Sequence, residues 1–267
     1  MHNYLTAIIL GIIEGITEFL PISSTGHLII AGHWLGFTGS FANMFDVIIQ
    51  LGAIISVIVY FHRTLIPPRQ NMTEQKRVLM LWRKTLTALI PAVLIGAILG
   101  QFLEELLFNI PVVATALIVG GVILIIVDKK DGGGPINNVA DVSYKNALKI
   151  GLIQCLAMIP GTSRSAATII GAMLLGCNRR TAAEFSFFLA IPTMLAAAGY
   201  TFLKNDGLAM TGSEWLTLSL GFIVAFVVAW IVIAWLMKYL RHHDFRIFGW
   251  YRIALGLALL GMLFLIR

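Results

Sequence analysis

Charge is scarce in this chain: Lys, Arg, Asp and Glu make up 12% of its 267 residues, against 58% hydrophobic residues and a mean hydropathy of +0.89. So little polar surface cannot coat a soluble globule of this size, which excludes a water-soluble domain and points to an integral membrane protein. Cysteine is nearly absent too. Cys155 and Cys177 have neither CxxC nor ligand spacing and lie in apolar helical context, so no disulfide framework or thiolate metal site is expected, and packing is their expected role. The start of the chain has no basic stretch, and no small-residue cleavage site follows the first apolar run; no removable signal peptide is expected.

What is present is apolar runs. Six are long enough, at roughly 17 to 25 residues, to span a bilayer as helices: about 43–62, 85–103, 111–127, 181–203, 215–237 and 247–266. Two other stretches break off. Residues 5–20 run into Pro21, and the run from His27 to Gly36 rises only about 15 Å as a helix, too little to cross. Residues 146–159 and 165–176 repeat that shape. Gly11 with Gly151, Glu14 with Gln154, Ser23 with Ser163 and Gly36 with Gly176 all keep an offset of 140. A duplicated pair of broken hydrophobic segments points to a site inside a membrane protein, and loop backbone at that depth must be packed in protein or line a wet cavity. The expected architecture is an all-α polytopic membrane protein. It has six transmembrane helices plus two re-entrant helical hairpins (5–36 and 146–176), arranged as inverted-topology repeats over 1–127 and 146–267. The hydrophilic 128–145 segment reads as a flexible cytoplasmic linker without chemistry of its own.

Placing the loops alternately on two sides collects fifteen of the 19 Lys and Arg on one side, among them Arg63, Arg69, Lys76, Arg77, Lys129, Lys130, Arg179, Arg180 and Arg241. The other side holds Lys204 and Arg267 with Glu104 and Glu105. The positive-inside rule makes the first side cytoplasmic and puts both termini outside. Three spans and one hairpin per half then force the second copy to be inverted, so the two hairpin tips meet near the midplane.

Glu14 and Glu18 lie four apart, on one face of the first helix, where intramembrane acids face a cavity or a partner. Their charge requires Arg164, a divalent cation or a retained proton as balance. Pro21 ends that helix, and Ser23, Ser24 or Thr25 can cap the next one; Gly26 allows close backbone approach, and a helix start offers free N–H groups to an anion. Gly161, Ser163, Arg164, Ser165 and Thr168 present the same arrangement with a guanidinium added, the group suited to phosphate oxygens. Acids, hydroxyls, a histidine and an arginine at two helix starts fit a phosphate-bearing substrate better than a cation or a neutral solute.

Glu14-xxx-Glu18 followed by Pro21-Ile22-Ser23-Ser24-Thr25-Gly26-His27, together with the Pro160–Thr168 segment, closely resembles the bacterial undecaprenyl-diphosphate phosphatase family, often called BacA or UppP. The likeness extends through the segments around Phe45–Gln50 and Glu184–Pro192, with Asp46 where Glu would be expected. The resemblance implies hydrolysis of the terminal phosphate of a C55 polyprenyl diphosphate. It also implies an active site open to the outer face of the bacterial cytoplasmic (inner) membrane, a role in recycling the cell-wall lipid carrier, and a link to bacitracin resistance. Carried over by residue, the catalytic groups are Glu14, Glu18, Ser24, His27 and Arg164, with Ser163, Ser165 and Thr168 supporting.

Two routes stay open. Ser24 attacks as nucleophile with His27 or Glu18 taking its proton, or a water is activated by Glu18 through Mg²⁺ or Ca²⁺ held by Glu14 and Glu18. The rival function is an inverted-repeat transporter or flippase of a lipid phosphate. The partners expected are the lipid substrate and the bilayer, not nucleic acid; a homodimer is left open. Elsewhere Thr181 and Glu184 read as a capping box, Gln50 as a candidate hydrogen-bond partner of a hairpin tip, and Gly11/Gly15, Gly32/Gly36 and Gly96/Gly100 as close-packing pairs.

Overall fold

Apolar runs of this length must satisfy their backbone groups within each segment, and helices do so without solvent. The computed structural model describes residues 2–67, 71–107, 109–128, 134–204 and 210–265. Its helices in chain order are α1 (His2–Thr17), α2 (Ser24–Trp34), α3 (Ser40–Tyr60), the short α4 (His62–Leu65), α5 (Met72–Leu107), α6 (Ile110–Val127), α7 (Tyr144–Gln154), α8 (Arg164–Leu174), α9 (Arg179–Lys204), α10 (Gly212–Tyr239) and α11 (Arg246–Leu265). A 3₁₀ turn over Cys155–Met158 extends α7. Six of these, α3, α5, α6, α9, α10 and α11, are long and apolar enough to cross a membrane. Large apolar side chains such as Ile98, Leu203, Ile231 and Trp250 stand exposed on them, a surface that lipid would cover. Arg69, Lys129, Lys130, Arg267 and the Gly132-Gly133 pair lie outside the described residues, as do the side chains of Glu104, Glu105 and Lys204.

Boundaries differ from the sequence expectation where charge interrupts a helix that nonetheless continues. α5 opens at Met72 instead of 85, because Asn71 Oδ1 accepts the amides of Thr73 and Glu74 and the amphipathic first turns bury Val78 and Leu81. Thr181 does not cap α9. The helix begins at Arg179, Asn178 Oδ1 accepts the Thr181 amide, and Glu184 pairs instead with Arg180 at 2.9 Å. The 134–143 stretch is packed, not free: Ile136 exchanges backbone hydrogen bonds with Gly176 and Asn178, and Val139 and Val142 are buried. Asp128, also buried, accepts from Arg179 Nε and from the Phe245 amide, tying the end of α6 to the starts of α9 and α11.

Part of the packing recurs in the two halves. α10 lies against α1 and α3, α5 lies against α7 and α9, and exchanging the halves turns one set of contacts into the other. Apolar contact gains little over lipid inside a bilayer, so close approach and shape must order the helices. A Cβ on Gly11 would sit 2.8 Å from the Gly221 carbonyl, and one on Gly15 2.7 Å from Val228 Cβ, so this pair does let α1 and α10 touch. Gly96 and Gly100 instead line a cavity, and Gly36 ends a turn in open space. Under the end of α1, Phe19 packs edge-on against Phe187 of α9 at 5.2 Å, with Phe61 and Phe188 completing the cluster. That cluster fixes the carboxylate next to it in the chain, Glu18.

Candidate active site

The helical path of α1 runs one residue past its end, since the Glu18 amide donates to the Glu14 carbonyl at 3.0 Å. Glu14 and Glu18 are therefore stacked on one face, both buried. Proline at 21 stops the helix, and the chain turns through Ser23 to restart as α2 at Ser24. Hairpin two turns through Ser163 and restarts at Arg164. Ser23 (φ 75) and Ser163 (φ 69) are the two non-glycine residues with positive φ among the described residues. Left-handed backbone disfavours L side chains, and such strain persists where the surroundings over-determine it, often at functional sites. The same positive-φ serine thus precedes the second helix at both members of the 140-offset pair.

These two helix starts bring three side chains together. Ser24 Oγ donates to Glu18 Oε2 at 2.6 Å, and Arg164 Nη2 donates to Glu18 Oε1 at 2.7 Å. One carboxylate thus joins the hydroxyl of hairpin one to the guanidinium of hairpin two. Arg164 Nη1 is spent on the Ser186 carbonyl of α9 at 2.9 Å, while its Nε has no partner. Gln154, the counterpart of Glu14, likewise leaves Nε2 unpartnered, and both oxygens of Glu14 are unpartnered.

His27 lies elsewhere. Its Nδ1 faces the Ser23 carbonyl at 2.7 Å, an acceptor only, so that nitrogen carries a proton; Nε2 sits 2.7 Å from the Tyr251 hydroxyl of α11, and the two rings stack at 5.7 Å. The expected reach from His27 to the Ser24 hydroxyl is not made, because the first turn of α2 carries the ring toward α11.

A cavity of about 590 Å³ opens beside the cluster. Glu18, Ser23, Ser24, Thr25, Gln50, Gln154, Gly161, Ser163 and Arg164 form its polar wall, and Ala92, Val93, Gly96, Ala97, Ala196 and Ala197 of α5 and α9 its apolar one. Glu14, Gly26, His27, Ser165 and Thr168, expected at the site, do not line it. The reasons are local. Ser165 Oγ donates across to the Leu20 carbonyl at 2.8 Å and so takes its hydrogen bond from Ser163 Oγ. Thr168 Oγ1 is held at 2.6 Å from Ser186 Oγ, bonding α8 to α9. Gly26 is buried in α2 without a steric need to be glycine: an added Cβ would find its first neighbour at 3.6 Å. Gly161 does have one, with φ +89 and a Cβ position 2.5 Å from the Val113 carbonyl.

Sequence reading missed Ser186, Tyr251 and Arg252. The signal for Arg252 was available: an ionisable residue in the middle of an apolar run is unusual enough to single out.

The family model for bacitracin resistance protein BacA matches residues 7–258. Undecaprenyl-diphosphatase 1 of Clostridioides difficile (strain 630) is 50% identical over 264 residues, covering 97% of this chain and 96% of the relative. The undecaprenyl-diphosphatases of Ectopseudomonas mendocina (strain ymp) and Caldanaerobacter subterraneus subsp. tengcongensis are each 46% identical, over 96% and 100% of this chain and 92% and 97% of their own lengths. Matched over nearly its whole length, the chain belongs to the BacA family of undecaprenyl-diphosphatases.

Proposed function

We propose that this chain hydrolyses undecaprenyl diphosphate to undecaprenyl phosphate and inorganic phosphate at the Glu18, Ser24 and Arg164 cluster. One observation carries the reading: at the wall of the cavity the buried Glu18 carboxylate holds both the Ser24 hydroxyl and the Arg164 guanidinium. Arg164 Nε and Gln154 Nε2 are buried donors without partners, which is destabilising, and an entering diphosphate would supply acceptors as the two side chains turn toward it. The first-turn amides of α2 and α8 add positive potential to the same place. The names of the relatives agree with that substrate.

The chemistry follows from who touches whom. An entering diphosphate competes with Glu18 for Arg164, and as the guanidinium turns to phosphate, the Glu18 carboxylate is released to face the Ser24 hydroxyl alone. Glu18 takes the Ser24 proton while Oγ attacks the terminal phosphorus. The bridging P–O bond breaks, and its electron pair leaves with the lipid monophosphate. Water then attacks the phosphoserine; Glu18 returns its proton to Oγ as the P–Oγ bond breaks, and the proton of the water leaves with inorganic phosphate. His27, bonded to the Ser23 carbonyl and to Tyr251, holds the first turn of α2 in place for Ser24. Glu14 and Glu18 are the side chains that would hold a divalent cation, Mg²⁺ or Ca²⁺, and the two free oxygens of Glu14 fit that use. Such an ion would balance the charge of the two stacked carboxylates behind the cavity wall. Ser163, Thr25 and Gly161 face the cavity beside the phosphate position.

In this reading the two helix pairs are re-entrant hairpins of an inverted repeat, with the termini and the cavity mouth on the outer face of the inner membrane. The exchangeable packing of the halves and the matched left-handed serines support it. So does the gathering of Arg63, Arg77 and Arg180 around Asn137 and Asn138 at one end, the cytoplasmic one by charge.

The test is phosphate release from undecaprenyl diphosphate by the purified protein in detergent, where no second compartment exists. Release that is lost in Glu18→Ala and Arg164→Ala supports the assignment. Unchanged release in both variants refutes the site, and no release by the wild type, with lipid transfer across vesicles instead, would establish the flippase.

A further inference from the structure

A guanidinium enclosed within a membrane helix bundle is unfavourable unless it is charge-paired or fully hydrogen-bonded. Arg252 of α11 is 0% exposed, and among the described residues no carboxylate pairs with it. It donates instead to four backbone carbonyls. Nη1 reaches Pro21 O at 3.2 Å, Nη2 reaches Gly161 O at 3.2 Å and Ala116 O at 3.1 Å, and Nε reaches Leu117 O at 3.3 Å. The last two belong to α6. The first two belong to the hairpin tips, and 21 and 161 are again related by the offset of 140.

One side chain therefore grips equivalent positions of both tips, each two residues before the left-handed serine that starts α2 or α8. Its seat is shaped for it: a Cβ on Gly120 would lie 2.2 Å from Nη2. A planar guanidinium, with donors fixed in a fork, can hold several acceptors in set directions, which an ammonium cannot do. Moving either carbonyl moves a helix start, and with it Ser24 or Arg164.

We propose that Arg252 is a positioning residue for phosphoryl transfer: by holding the Pro21 and Gly161 carbonyls on one guanidinium, it sets the Ser24 hydroxyl against Arg164. This rests on the hydrolase reading above. It makes the geometry of the site depend on a residue that never touches substrate.

The experiment measures kcat and KM for phosphate release with Arg252→Lys, Arg252→Met and Gly120→Ala, each checked for wild-type helical circular dichroism and thermal midpoint. Misplacing reacting groups by about 1 Å lowers turnover on the order of 100-fold, so Arg252→Met should lose about that factor in kcat. Because the apolar wall on α5 and α9 is untouched, KM should stay within about threefold. Arg252→Lys keeps the charge but not the fork and should recover only a minor part of the loss. Gly120→Ala keeps the arginine and displaces it, so it decides the matter if neither Arg252 variant can be purified; it should lower kcat about tenfold. Folded variants that turn over within about threefold of wild type, or that raise KM with kcat unchanged, would overturn the proposal. Wild-type protein that releases no phosphate would refute the hydrolase reading instead, a result distinct from active wild type with equally active variants.

Discussion

Replacing Ser24 by alanine separates a nucleophile from a mere ligand of Glu18, because the structure sets a ceiling on the second. If the hydroxyl only orders the carboxylate through its buried 2.6 Å bond, its removal forfeits one charge-assisted hydrogen bond. Such a bond contributes about 1.5–3 kcal/mol, or roughly 10- to 150-fold in rate. If Oγ forms the bond to phosphorus, the atom that reacts is gone, and the loss should exceed about 10⁴-fold, leaving only binding and charge stabilisation. Glu18→Gln keeps the shape, loses the base and weakens the Arg164 pair, and should cost about 10²- to 10⁴-fold by itself. The two changes strike one unit. The double variant should then be no slower than Ser24→Ala alone, whereas independent contributions would multiply. The assay is single-turnover release of ³²P from terminally labelled substrate, with acid quenching to trap protein-bound label. Turnover by Ser24→Ala within about 100-fold of wild type, or losses that multiply in the double variant, would refute covalent catalysis by this serine.

Gln154→Leu removes a buried donor that has no partner, so the free protein should melt higher in detergent, while KM for the diphosphate rises about tenfold with little change in kcat. Gly161→Ala adds left-handed strain of about 1–2 kcal/mol to a Cβ lodged 2.5 Å from the Val113 carbonyl; it should lower both the melting temperature and activity, with kcat hit harder than KM. Asp128→Ala strips Arg179 and the Phe245 amide of a shared buried acceptor and should lower stability by about 3 kcal/mol, measurable as a lower thermal midpoint. Cys177 is buried and its thiol is pushed up to about 11 by that burial, so maleimide at about pH 7.5 should label Cys155 alone, and both cysteines only after denaturation.

Much of the architecture was legible because bilayer chemistry leaves few alternatives. The six apolar runs became the six long helices, and the two runs too short to cross became α1 with α2 and α7 with α8. Legibility failed at charged ends. Arg83 and Lys84 interrupt a hydropathy profile but not a helix, since α5 simply turns amphipathic there and buries Val78 and Leu81. Thr181 and Glu184 have the spacing of a capping box, yet Asn178 three residues earlier supplies the cap, and spacing alone cannot rank two competing caps. The polar linker composition suggested freedom, but two buried valines give residues 134–143 a fixed place, and a buried carboxylate does the same for Asp128.

The site divides along a physical line. Groups proposed to do the chemistry need particular side chains at the ends of particular turns, and those survive as readable strings; Glu18, Ser24 and Arg164 were found this way and do meet. Groups that hold those turns in place need only reach a carbonyl or a ring nitrogen, which every residue or a single histidine provides. The sequence singles out Arg252 as a charge in an apolar run but does not say what it holds, and it gives no sign for Tyr251, because the partners are the main chain of residues 21 and 161 and the side chain of His27, far away along the chain. The same distinction explains His27. Its place one turn into α2 suggested a base for Ser24, while its actual direction is set by a stacking partner 224 residues later. If that partnership is what makes the histidine matter, Tyr251→Phe should reproduce part of the loss seen in His27→Gln, and the double variant should be no worse than His27→Gln alone. Losses that multiply would mean that His27 acts on the phosphate directly.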